Sequence, residues 1–105
     1  MDNFAPKFFF LKINEYQKWI QKQTNYNKVQ IAQRLSRIEL DEYFGIYKYL
    51  GGNIWELKWE NGRRIYYTYI PEKKILLLLG GNKNGQSKDV AQAKKICAKY
   101  TQIKN

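Results

Sequence analysis

The stretch Ile54-Trp55-Glu56-Leu57-Lys58-Trp59-Glu60-Asn61-Gly62-Arg63-Arg64-Ile65-Tyr66-Tyr67-Thr68-Tyr69-Ile70 decides the fold. From Ile54 to Glu60 the residues alternate, with Trp55, Leu57 and Trp59 on one side and Glu56, Lys58 and Glu60 on the other. That is the period of a pleated strand with one buried face. Asn61-Gly62 follows, a pair that tolerates positive φ and marks a tight antiparallel turn. Arg63 to Ile70 is then the return strand.

Toward the C-terminus, Pro71-Glu72-Lys73 makes a second tight connection. Lys74 to Leu79 is apolar at every position after Lys74, which suits a central or nearly central strand buried on both faces. Gly80-Gly81-Asn82-Lys83-Asn84-Gly85 breaks that pattern, after which Val90, Ala93, Cys97 and Tyr100, with Ile96 beside them, form the stripe of a closing helix. Toward the N-terminus, Asp41 to Asn53 loses periodicity at Gly45, Gly51 and Gly52 while carrying Phe44, Ile46, Tyr47 and Tyr49, and reads as an aromatic loop. Ile31, Ala32, Leu35 and Ile38 recur at helical spacing, leaving Lys28, Arg34 and Arg37 on other faces. A polar break from Gln23 to Asn27 separates this helix from an earlier one that buries Tyr16, Trp19 and Ile20, and Asn14-Glu15-Tyr16-Gln17 has the form of its capping box. Lys7 to Ile13 reads as a first strand. The order β, α, α, β, β, β, α predicts one α+β domain over residues 1–105, with a helical hairpin packed on a mainly antiparallel four-stranded sheet and helices on one face.

A chain of 105 residues has room for one modest core. Its 19 Lys and Arg against 9 Asp and Glu give a formal charge of +10, the balance of a polyanion binder. Charge alone does not choose among nucleic acid, a ribosome, an acidic protein and an anionic membrane surface. The longest apolar runs, Phe8 to Leu11 and Ile75 to Leu79, are far short of the roughly 20 residues of a membrane helix. No signal peptide is readable, so the cytoplasm is the expected location. Cys97 is the only cysteine and histidine is absent, which excludes an internal disulfide, the commonest zinc ligand sets and histidine-dependent triads. No cofactor is expected.

The second half of the chain resembles a known family. Glu56-Leu57-Lys58, Gly62-Arg63-Arg64-Ile65-Tyr66-Tyr67, Leu77-Leu78-Leu79-Gly80-Gly81-Asn82-Lys83, then Gln86, Asp89-Val90 and Ala93-Lys94 are similar, in order and spacing, to the HigB-like addiction-module killer proteins of the RelE/ParE toxin superfamily. Upstream, Trp19, Arg34-Leu35-Ser36-Arg37-Ile38, Phe44-Gly45 and Lys48 extend the likeness over about nine-tenths of the chain. The resemblance implies a RelE-like fold with a twisted sheet, and a toxin neutralised by a cognate antitoxin encoded beside it. It leaves the target open: the leading reading is a ribosome-dependent mRNA interferase, a metal-independent endoribonuclease. The alternative on the same scaffold is a ParE-like inhibitor that poisons DNA gyrase by contact alone.

RNA cleavage by 2′-OH attack needs a proton acceptor, a proton donor and converging positive charge. The resemblance places Lys58, Arg64 and Lys83 in basic positions and adds Tyr66 for base stacking or hydrogen bonding. Strand alternation puts Lys58, Arg64 and Tyr66 on the face opposite Trp59, Ile65 and Tyr67. Arg64 is assigned to the transition-state phosphate, Lys83 to phosphate or leaving group, and Lys58 to phosphate or general-base work. Lys28, Arg34, Arg37, Lys48 and Arg63 are the candidate nucleic-acid contacts. Where RelE-type nucleases carry a tyrosine near the closing helix, or HigB nucleases histidines, this chain has Gln86, Ser87 and Asp89. Each cation also has a plainer reading as a solvated strand or loop residue, and Arg64 as an arginine stacked on Tyr66 for packing. Gly80-Gly81 lacks the Lys-Ser/Thr ending of a phosphate loop, so no nucleoside-triphosphate site is expected. Trp19, Trp55, Trp59 and Cys97 are expected in the core.

Overall fold

The computed structural model describes residues 5–101. Its elements are β1 (Phe9–Lys12), α1 (Asn14–Gln21), α2 (Asn25–Asp41), β2 (Tyr47–Gly51), β3 (Ile54–Lys58), β4 (Arg63–Ile70), β5 (Lys74–Asn82), one 3-10 turn (Lys83–Gly85) and α3 (Gln86–Thr101). The strands form one sheet in the order β1-β5-β4-β3-β2, antiparallel except where β1 runs parallel to β5. The apolar strand β5 is central, as its composition predicts.

The sheet has five strands, not four. The additional one is β2, inside the stretch read as an aromatic loop. Its Tyr47, Lys48 and Tyr49 are exposed at the sheet margin, so it carries no buried stripe that a periodicity reading could detect.

The β3–β4 connection is wider than a two-residue turn. Trp59 and Arg63 close it, Gly62 takes φ 101°, and the Asn61 side chain accepts from the Arg63 amide at 2.9 Å. This loop length sets the register. It pairs Lys58 with Arg64 and Glu56 with Tyr66, so these four share one face. A two-residue turn at Asn61-Gly62 would pair Lys58 with Ile65 and send the two cations to opposite faces.

Helices cover both faces. Gly80 and Gly81 are neighbours in β5 and point opposite ways: a Cβ on Gly80 would enter the indole of Trp19 from α1, and one on Gly81 would meet the carboxyl of Asp89 from α3. The hairpin α1–α2 therefore lies on the Leu57–Ile65 side and α3 on the Glu56–Arg64 side. The pair is strand, not loop, and its missing side chains let both layers close in. Ile31, Leu35 and Ile38 of α2 pack over the hairpin side with Phe44, whose ring lies 5.6 Å from Phe8 and 6.1 Å from Tyr67. On the other side α3 buries Ala93, Ile96 and Cys97. Its far end is tied to α1 through Glu15, which accepts from Lys99 and Tyr100 at 3.2 Å each.

Helix entry follows capping chemistry in α2, where Thr24 accepts from the Asn27 amide. In α1 the capping box does not form. Asn14 is already helical, Ile13 is the cap residue, and Gln17 instead donates to the Lys12 carbonyl at 2.6 Å. Among the described residues no helix is long and apolar enough to cross a membrane.

Candidate functional site

Lys58 and Arg64 stand opposite each other where β3 meets β4, and Lys83 reaches the same end from the 3-10 turn after β5. The Lys83 amide donates to the Gly62 carbonyl at 2.8 Å, and its side-chain carbons run along Gly62 at the distance of an ordinary contact. The register thus gathers three of the four positions singled out for catalysis at one end of the sheet, beside the first turn of α3. Lys58 is half-buried, Lys83 is exposed, and Arg64 is only 8% exposed.

Arg64 is held from several sides. Its Nη1 donates to the Trp59 carbonyl at 3.2 Å and the Arg63 carbonyl at 3.0 Å. Its Nε lies 3.7 Å from Glu56 Oε2, an ion pair without a hydrogen bond. The same Glu56 oxygen accepts from Gln86 Nε2 at 2.6 Å, which ties the first residue of α3 to the floor of the site. Glu56 has no exposed surface. A strand with a single buried face would leave Glu56 in solvent; α3 covers that face and makes it an interior carboxylate. The legible signal was register, because a Glu diagonal to an Arg on one face is an ion pair in waiting.

Tyr66 does not do what the sequence reading assigned to it. It is wholly buried opposite Glu56, so it has no ring face to offer a base, and its hydroxyl has no hydrogen-bond partner among the described residues. Burial, with the nearby Glu56 and Asp89 charges, holds its phenol un-ionised far above the ordinary range. Asp89, half-buried against Gly81, has its carboxyl pKa raised by burial, against the pull of Lys88. With Glu56 and Gln86 it belongs to the residues that sequence reasoning did not assign.

The candidate nucleic-acid contacts do not form one surface. Lys48 lies opposite Glu56 in register, on the α3 face, and is exposed. Lys28 is half-buried on α2, and Arg37 is exposed there, 3.5 Å from Asp41 and stacked 4.8 Å from the Tyr43 ring centroid. Arg34 and Arg63 also serve the scaffold. Arg34 donates to the carbonyls of Phe44, Ile46 and Lys58, fastening the α2–β2 link to β3. Arg63, 6% exposed, donates to Asn27 and Gln30 of α2. Their donors are engaged internally, although both keep their charge. Cys97 is in the core as expected, while Trp19, Trp55 and Trp59 are half-buried at its margins.

Comparison with known proteins agrees with this architecture. The family described as Phage derived protein Gp49-like (DUF891) matches residues 18–101. An uncharacterized protein of Haemophilus influenzae is 33% identical over 82 residues, covering 75% of this chain and 82% of that protein. Among solved structures, a doubly substituted E. coli toxin RelE in the free state matches with a TM-score of 0.67 at 20% identity, over 84% of this chain and 95% of the other. The intact E. coli RelBE toxin-antitoxin complex matches with a TM-score of 0.60 at 19% identity, over 71% and 95%. The isolated E. coli RelE toxin matches at 0.61 and 19%, over 81% and 97%. The fold is RelE-like.

Proposed function

Since the chain belongs to the Gp49-like family of phage-derived proteins and has the RelE fold, we propose that it is the toxin of a toxin-antitoxin pair and that it cleaves messenger RNA on the ribosome. The observation that carries this reading is the gathering of Lys58, Arg64 and Lys83 at one end of the sheet, on a chain of formal charge +10. Cations converging on one phosphate are what RNA scission without a metal requires. The 2′-oxygen attacks phosphorus, the bond to the 5′-oxygen breaks, one proton leaves the 2′-hydroxyl and one reaches the departing oxygen. In this reading Lys58 holds the phosphate or takes the first proton, Arg64 faces the phosphorane, and Lys83 steadies the leaving group. Glu56 and Gln86 position Arg64 without touching RNA. The partner is an acidic antitoxin segment that competes for the same positive ground, in keeping with the RelE relative solved in a toxin-antitoxin complex.

The test is induced expression with and without the adjacent reading frame, followed by mapping of mRNA 5′ ends. Growth arrest with codon-phased cuts in translated regions, relieved by the neighbour and abolished by Lys58→Ala with Lys83→Ala, is expected. Intact messages with DNA damage would instead identify a gyrase poison, and undiminished arrest by the double variant would remove the assigned chemistry.

A further inference from the structure

On the hairpin side of the sheet, two contiguous cavities of about 320 and 410 Å³ form a groove between α2 and the β3–β4 loop. Its inner wall is the half-buried Trp59, with Arg34 4.3 Å and Arg63 5.3 Å from the ring centroid. Among the described residues neither guanidinium has a carboxylate within 4.0 Å; their partners are carbonyl and amide oxygens. Glu60 borders the outer end without pairing to either. Arg34 therefore sets one fixed positive charge on the groove wall with no carboxylate among the described residues paired to it, and burial lowers its pKa. Arg63 stands behind Trp59, outside the groove, and Arg37 at the mouth is exposed and, among the described residues, pairs only with the exposed Asp41. At the mouth stands Tyr43, 57% exposed, with one face against Arg37. The exposed amide of Gln33 lines the same wall, beside Gln30.

We propose that this groove binds one nucleotide of a single-stranded RNA, its phosphate drawn by Arg34 and Arg37 and its base stacked on Tyr43 and read at the edge by Gln33. The chemistry selects this occupant. An inorganic anion would answer the charge but leave an aromatic face and an amide unused, whereas a nucleotide uses all three. An acidic peptide would answer the charge with carboxylates and has no plane for Tyr43. Lys58 borders the groove and is also the cross-strand partner of Arg64 on the other face. An RNA strand leaving the groove at Lys58 has to round the β3–β4 end of the sheet to reach the candidate cleavage site on the α3 face, and in this proposal the groove sets which nucleotide arrives there.

The inference rests on the reading of the chain as an RNA-directed protein, but its test needs no cleavage. A short 2′-O-methyl oligoribonucleotide has no 2′-hydroxyl to attack and reports binding alone. At near-physiological salt, titration should shift the side-chain amide resonances of Gln30 and Gln33. Tyr43→Ala should weaken binding about tenfold and Tyr43→Phe should restore it, the size expected of one base stack. Arg37→Ala should lower the salt slope by about one. Inorganic phosphate should bind far more weakly, and a hexaglutamate peptide should not displace the oligonucleotide. Unchanged binding in Tyr43→Ala, amide resonances that do not move, or displacement by hexaglutamate would overturn the assignment. If binding behaves as expected while messages stay intact in cells, the groove stands and the nuclease reading falls.

Discussion

Replacing Gly80 with alanine tests the three-layer packing at its tightest point. The new methyl would lie inside the van der Waals envelope of Trp19 Cδ2, Cε2 and Cε3, so indole and strand must separate by about 1 Å or more. Trp19 has no flexible end to swing aside. It is one turn into α1 and packs 5.8 Å from the ring of the buried Tyr16. Overpacking of this kind costs about 1–3 kcal/mol, and a rigid bicycle belongs at the upper end. At about 4–8 °C per kcal/mol for a domain of this size, Gly80→Ala should lower the melting temperature by about 12–24 °C. Gly81→Ala faces only the tip of Asp89, which can turn toward solvent, and should cost about 1 kcal/mol. The assay is thermal and urea unfolding of both variants, with a cycle that adds Trp19→Leu. The double variant should be little worse than Trp19→Leu alone, a coupling of about 2 kcal/mol. A Gly80→Ala protein as stable as the wild type, or losses that simply add, would refute the placement of α1 on that face.

Three further outcomes follow from contacts elsewhere. Arg34→Lys keeps the charge but cannot span the carbonyls of Phe44, Ile46 and Lys58, so it should cost about 2 kcal/mol in urea unfolding and speed amide exchange across residues 43–47. Glu72 and Lys73 both sit at positive φ, 70° and 61°, where side chains are strained; the pair Glu72→Asn with Lys73→Gly should raise stability by about 1 kcal/mol. Burial pushes the Glu15 carboxyl up, but hydrogen bonds from its own backbone, Lys99 and Tyr100 outweigh that and hold its pKa below the ordinary 4.5. A lowered folded pKa means the tether of α3 is present above that value and lost as pH falls through the folded one. Glu15→Gln should therefore speed hydrogen exchange at the end of α3 at neutral pH, and match the wild type in acid.

What was legible and what was not follows from where each residue's signal resides. The β3–β4 hairpin, the central β5 and the two helical stripes are local patterns, and each reports its own burial. The face shared by Lys58 and Arg64 depended on one further quantity, loop length, because a turn one residue shorter reverses every side chain beyond it. β2 was invisible for the converse reason: a strand at the margin with both outward faces wet has no apolar period. The burial of Glu56 is not legible in the sequence because alternation tells which residues share a face and not whether a second layer covers it. Gly80-Gly81 held the missing information, since two adjacent strand glycines imply close approach from both sides.

The same distinction reorders the basic residues. A formal charge of +10 points outward only if the cations do, and the arginines of this site mostly do not. Arg34, Arg63 and Arg64 each direct donors at main-chain carbonyls or side-chain amides within the fold, while Lys48 and Lys83 are exposed and Lys28 and Lys58 half so. The division follows from chemistry: a planar guanidinium with five donors can fasten several acceptors at once, and an ammonium on a flexible stem stays hydrated. Arginines beside Trp59 and in a tyrosine-rich strand are therefore best read as framework that still projects charge into the cavities it shapes. On the proposed reading, removing Lys58 and Lys83 should abolish cleavage and leave the fold intact, whereas removing Arg34 should first undo the fold. A measurement that found the reverse would mean that the cations have been sorted on the wrong principle.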